Sequence, residues 1–79
     1  MEKIEIGESV VLEDGKEYLC FSRIIEDNND YVYLVSNFKP VEVKFAIQYV
    51  KDNEVELKVI GNKEEKKKIY ELFQQKMGN

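Results

Sequence analysis

Seventy-nine residues carrying a formal net charge of -4, with 43 % apolar side chains, bound one small domain spanning 1–79, which buries about 60–65 % of the surface its unfolded chain exposes. Little core is left over for a deep pocket, and the acidic balance disfavours nucleic acid, whose binding needs a basic face that releases counterions from phosphates. The chain has no histidine, which removes the commonest general base, the commonest zinc ligand and the usual partner of a catalytic thiol.

The first stretch, MEKIEIGESV, places carboxylates where a signal peptide needs a basic start and an apolar run, and the longest apolar run anywhere is the five residues YVYLV. A soluble, cytoplasmic chain with no membrane span is expected. Residues 3–12 read as a first strand bent at Gly7, with Ile4 and Ile6 able to reach the last strand and complete a barrel. Asp14-Gly15 reads as a two-residue type I′ turn, setting Val10 opposite Leu19 in a second strand over 17–26. The next turn falls in DNND. With Asn28-Asn29 at its tip, Val32 opposes Ile25 and Ser36 opposes Phe21. DNND lacks the alternate ligands, central glycine and distal glutamate of a calcium loop, so it reads as a hairpin tip.

The third strand, 31–38, is apolar on both faces at YVYLV. Taking Lys39-Pro40 as the following turn sets Phe38 opposite Val41, Leu34 opposite Phe45 and Val32 opposite Ile47. In the fourth strand, 41–50, Val41, Val43, Phe45, Ile47 and Tyr49 alternate with Glu42, Lys44, Ala46 and Gln48, the period-two signature of a strand. A three-residue loop, 51–53, then sets Tyr49 opposite Val55 and Ile47 opposite Leu57 in a fifth strand over 54–60, with Asn53 tolerating a left-handed backbone. After Gly61 the period changes. Asn62 reads as an N-cap with Glu65 as capping-box acid, and Ile69, Leu72, Phe73 and Met77 form the apolar stripe of a helix over 63–77 that stops at Gly78.

These registers select one inner face: Val10, Leu12, Leu19, Phe21, Ile25, Val32, Leu34, Phe38, Val43, Phe45, Ile47, Val55, Leu57 and Val59. Arg23 resists, pointing inward between Phe21 and Ile25. Either it lies at a rim with its guanidinium in water, or a bulge near Ser22 turns it out and Ile24 in. The expected fold is α+β and mainly β: a five-stranded antiparallel meander, strongly bent or partly closed into an SH3-like barrel, with one C-terminal amphipathic helix.

Chemistry is sparse. Cys20, the single cysteine, closes no internal disulfide, agrees with a reducing compartment and has no evident activator. No catalytic residue, metal ligand or cofactor is nominated, and an enzyme is not expected. The lysine run in KEEKKK, 63–68, fans Lys66, Lys67 and Lys68 over several helix faces, a solvated surface first and a secondary binding candidate after that. The leading candidate is the opposite sheet face, where Tyr18, Tyr31, Tyr33 and Val35 gather beside Cys20. Tyrosines there are either interface anchors or a second small core under the helix.

The segments VVLEDGKEYLCF, NDYVYLV and GNKEEKKKIYELF resemble the YrzB-like family of short acidic bacterial proteins. The lysine-rich helix start departs from relatives that tend to be acidic there. The resemblance implies a cytoplasmic bacterial protein and brings no substrate, cofactor or catalytic residue. The functional expectation is therefore a non-enzymatic protein–protein interaction module that uses the aromatic sheet face on a protein partner or a second copy. The alternative is a small-ligand or nucleic-acid binder using the barrel mouth and the lysine-rich helix start.

Overall fold

A computed structural model describes residues 3–77, the side chain of Met77 excepted. Five strands run in sequence order, each antiparallel to the next: β1 (Ser9–Val11), β2 (Glu17–Glu26), β3 (Asn29–Ser36), β4 (Val43–Lys51) and β5 (Glu54–Val59), followed by helix α1 (Lys63–Met77). The meander curls into a half-barrel. β1 and β5 remain its two edges instead of closing on each other. The expected first strand is realised only as β1; residues 3–8 carry a turn, and Gly7 there has φ 94°, a left-handed value that favours glycine.

Hairpin geometry departs from the expected registers by small and instructive amounts. Asp14-Gly15 is the end of a three-residue loop: Leu12 N–H donates to Lys16 O and Gly15 supplies the positive φ (78°). Val10 consequently opposes Tyr18, not Leu19. The β2–β3 turn is Asp27-Asn28, both left-handed, so that Ile25 opposes Asp30 and Arg23 opposes Val32. Between β3 and β4 no two-residue turn forms. A longer loop, 37–41, includes the cis Lys39–Pro40 bond and is closed by Ser36 N–H on Glu42 O, so Tyr33 opposes Phe45 and Leu34 opposes Lys44. The last hairpin is a two-residue turn at Asp52-Asn53, with φ 52° and 66°, pairing Val50 with Val55. Positive φ at both central positions is what a type I′ turn demands, and Asp and Asn are the side chains that tolerate it.

The slips on either side of β4 are each one residue and together move β5 by two along β3, so that Leu57 lies across from Asp30 through Gln48 and no longer from Val32. A two-residue displacement preserves the face, so Val32, Leu34 and Leu57 stay on one side, while β4 is turned over. Val43, Phe45, Ile47 and Tyr49 therefore face away from Leu34. A bulge at Phe21, between Cys20 and Ser22, does the same to the first half of β2: Tyr18 and Cys20 point inward, and Leu19 and Phe21 point outward. A bulge near Ser22 does exist, yet it leaves Arg23 on the inner side.

Two cores result, one on each face. The concave side holds Tyr18, Cys20, Val32, Leu34 and Ala46, with Ile4, Val10, Leu12, Phe38 and Leu57 packed against them. The convex side holds Ile24, Phe45, Ile60, Ile69 and Phe73, with Tyr31, Tyr33, Ile47 and Leu72 around them. Side chains converge inside a tight curl, so small and large residues must alternate there; Ala46 beside Leu34 and Tyr18 meets that requirement. On the outside of the curl the aromatics of β3 and β4 spread apart, and α1 fills the space. Asn62 caps α1 as expected, its Oδ1 accepting from Glu64 N–H at 2.9 Å and Glu65 N–H at 3.1 Å. Ile69 and Phe73 of the expected stripe are buried and Leu72 is partly so, whereas the Met77 side chain and Gly78 lie outside the described residues.

Candidate functional site

Of the four residues expected to share one face, Tyr18 enters one core, Tyr31 and Tyr33 pack against the other, and Val35 belongs to neither. Tyr18 is fully buried on the concave side. Its hydroxyl donates to Asp14 Oδ2 at 2.7 Å and reaches Glu42 Oε2 at 3.3 Å. Burial and these carboxylates hold its proton far above the usual phenol range. The Asp14 carboxyl moves down in turn, through the Tyr18 hydroxyl and the Lys16 N–H. Tyr31 and Tyr33 lie on the convex side beneath α1. The Tyr33 ring meets Phe45 at 4.9 Å and Phe73 at 5.4 Å between centroids, both edge to face, an attractive arrangement for aromatic quadrupoles. These tyrosines are largely the second core that the helix builds.

Val35 alone of the four stays outside both cores, because α1 covers one row of the convex face and leaves the next. The covered row runs across the sheet through Tyr33 and Phe45. Two residues further along the strands, Leu19 opposes Val35 and Val35 opposes Val43, making an uncovered apolar row. The bulge adds Phe21 to it. Phe21 is 49 % exposed although its ring lies 5.5 Å from that of Tyr33. Tyr70 of α1 is also exposed, its ring 6.3 Å from that of Phe45. Parity counting along the strands places Leu19, Phe21 and Val43 in the core, and the structure departs from it at all three. A bulge signal was present, since Arg23 could not share a face with both Phe21 and Ile25.

On the concave side the curl brings polar groups together that the sequence kept apart. Asp30, expected at a hairpin tip, is 4 % exposed inside β3. Arg23 Nε and Nη2 donate to its two oxygens at 2.8 and 2.7 Å, Lys3 Nζ lies at 3.3 Å and Gln48 Nε2 at 3.4 Å. Burial alone would raise the Asp30 carboxyl, but the hydrogen bonds from Arg23, Gln48 and Lys3 outweigh it and hold it below the usual carboxylate range. Arg23 also reaches Glu5 at 2.6 Å. Gln48, 1 % exposed, accepts from Ile4 N–H at 2.7 Å and donates to Ile4 O at 2.9 Å. It thereby fastens the segment before β1 over the core like one more strand. Among the described residues no buried side-chain nitrogen or oxygen lacks a hydrogen-bond partner, and the cage reads as structural.

A groove of about 820 Å³ opens along the seam between the two sheet edges, lined by Val10 and Leu12 near β1, by Val55, Leu57 and Val59 of β5, and by the half-buried Lys44. Its volume lies within the range of small-ligand sites, about 300–1,000 Å³. Cys20 is buried, its thiol pushed up chiefly by that burial, which removes thiolate character. Lys66 is partly covered, and Lys67 and Lys68 are exposed on α1. Among the described residues no three His, Cys, Asp or Glu side chains are placed to hold a metal ion, and no helix is long and apolar enough to cross a membrane. No protein-family model, curated protein or solved structure matches the chain.

Proposed function

We propose that this chain is a non-enzymatic interaction module whose docking surface is the uncovered convex row of Leu19, Phe21, Val35 and Val43. One observation carries the reading: α1 roofs the Tyr33–Phe45 row and stops short of the next, leaving Phe21 and Val43 exposed on either side of the partly buried Leu19 and Val35. Contiguous apolar area on a small domain marks an interface more often than it is idle, and aromatic residues are the usual anchors. The partner that fits is a polypeptide presenting apolar side chains to a gently convex sheet. The absence of histidine and the inert state of Cys20 support a role without catalysis, and a lone reduced cysteine fits a cytoplasmic chain. The YrzB-like resemblance is compatible with this reading and adds no partner.

A photo-crosslinking residue placed at Phe21 tests it, with the same residue at Val50, an exposed apolar position off the row, as control. A discrete adduct from Phe21 alone, lost when Val43→Ser is added, supports the row. The same adducts from both positions exclude it. The seam groove with Lys44 on its wall favours a second reading, a small ligand with an apolar body and an anionic end. A phosphate-bearing partner at Lys66–Lys68 would instead show steep weakening with salt on a polyanion column.

A further inference from the structure

β5 is an edge strand, hydrogen-bonded to β4 on one side and, among the described residues, to no strand on the other. Which of its groups are free follows from phase. Ile60 N–H donates to Phe45 O at 2.8 Å, one register step beyond the Ala46–Val59 pair. In an antiparallel ladder, hydrogen-bonded pairs alternate with non-hydrogen-bonded ones. Ile60, Lys58, Glu56 and Glu54 thus direct their backbone groups to β4, while Val55, Leu57 and Val59 direct theirs to the open edge. Two of the devices that usually blunt such an edge are missing: β5 contains no proline and its pairing has no bulge. The charges it does carry, Glu54, Glu56 and Lys58, are of both signs.

The strand is also complementary to itself. Laid antiparallel to a second EVELKV about a two-fold axis at Leu57, it sets Val55 opposite Val59 of the other copy, Leu57 opposite Leu57, and Glu56 opposite Lys58 on both sides of the axis. In that register every outward backbone group meets an outward backbone group. The apolar row stays on the concave face and the charges pair on the convex face. The two neighbouring in-phase registers, centred on Glu56 and on Lys58, would instead press two glutamates or two lysines together, which is unfavourable for directly opposed like charges. An odd shift would put outward backbone groups opposite inward ones. Charge and hydrogen-bond phase therefore select one arrangement.

We infer that a second copy of this chain is the partner of the β5 edge, the two half-barrels joining through antiparallel β5–β5 pairing centred on Leu57. This goes beyond the convex docking row and does not depend on it. The contact is small, so association is weak and concentration-dependent.

Charge swaps at Glu56 and Lys58 provide the test, because both side chains lie on the outward-facing charged side of the strand; retention of the circular dichroism spectrum and melting curve first confirms that each variant is folded. Glu56→Lys alone and Lys58→Glu alone each create two like-charge oppositions and should weaken self-association by about tenfold. The two variants mixed should associate with each other, and the double variant should recover wild-type association. Amide exchange gives a second readout: Val55, Leu57 and Val59 N–H should become protected as wild-type concentration rises, while Glu56 and Lys58 N–H are protected throughout. A wild-type chain that sediments as a monomer at millimolar concentration overturns the inference, as do single variants that associate like wild type.

Discussion

The two cores lie back to back on one sheet, and they are held by different means. The convex core is assembled from a separate element: Phe73 and Ile69 of α1 close over Tyr33 and Phe45 with aromatic contacts and no charge. The concave core is made by the curl itself. Its side chains range in size from Tyr18 to Ala46, and its open end is fastened by the Arg23–Asp30–Gln48 cage, which ties residues 3–5 across the barrel. A sheet bent this far leaves limited volume on its inner face, and polar side chains able to satisfy one another can occupy that face without leaving donors stranded. The convex face instead gathers aromatic rings from sheet and helix together, Tyr33, Phe45 and Phe73.

Substitutions that damage one side should reveal the difference. Phe73→Ala should have the largest effect, about 3–5 kcal/mol in urea unfolding, and it should weaken the near-ultraviolet signal of Tyr33 first; retention of that signal with full stability would mean the helix does not hold the convex core. Leu34→Ala on the concave side should cost about 2–4 kcal/mol, with less disturbance of α1 amides in hydrogen exchange. Asp30→Asn follows, at about 2 kcal/mol, less than a fully enclosed pair because Arg23 and Lys3 still reach water.

The Asp30 carboxyl carries a pH signature as well. Its folded-state pKa is depressed, so its contribution is present above the ordinary carboxylate pKa and disappears as pH falls through the lower folded value. The acid limb of wild-type stability should therefore be steeper than that of Asp30→Asn. Parallel limbs would show that the cage contributes nothing to acid sensitivity. The N-cap replacement Asn62→Ala should cost about 1 kcal/mol and act on the convex side alone. The smallest effect concerns Cys20: a thiol reagent should modify it slowly in the folded chain and rapidly in urea, its native rate following the opening of the concave core.

Several residues made this much readable in advance. Gly15, the Asx pairs at 27–28 and 52–53, and Asn62 mark chain reversals and a helix start because few other side chains accept those backbone conformations or caps. Period-two alternation identified β4 and β5, and the 3.6 period identified α1. Arg23 announced trouble in β2 before the bulge at Phe21 explained it. The candidate patch was less legible. Tyr33 and Val35 share a face as expected, but Tyr18 does not, because the bulge lies between them in the ladder.

From composition and local pattern alone, the chain determines five antiparallel strands, their order and a capped terminal helix, since each depends on neighbours within a few residues. Only the tertiary structure decides which face of β4 looks inward, whether Asp30 is a turn residue or a buried anion, and which apolar row the helix leaves bare. An Asx-rich turn accommodates two or three loop residues at similar cost, and each added residue turns a whole strand over. When both faces of a sheet are covered, alternation groups residues by side without saying which side is which; that choice belongs to the curl and to the placement of α1.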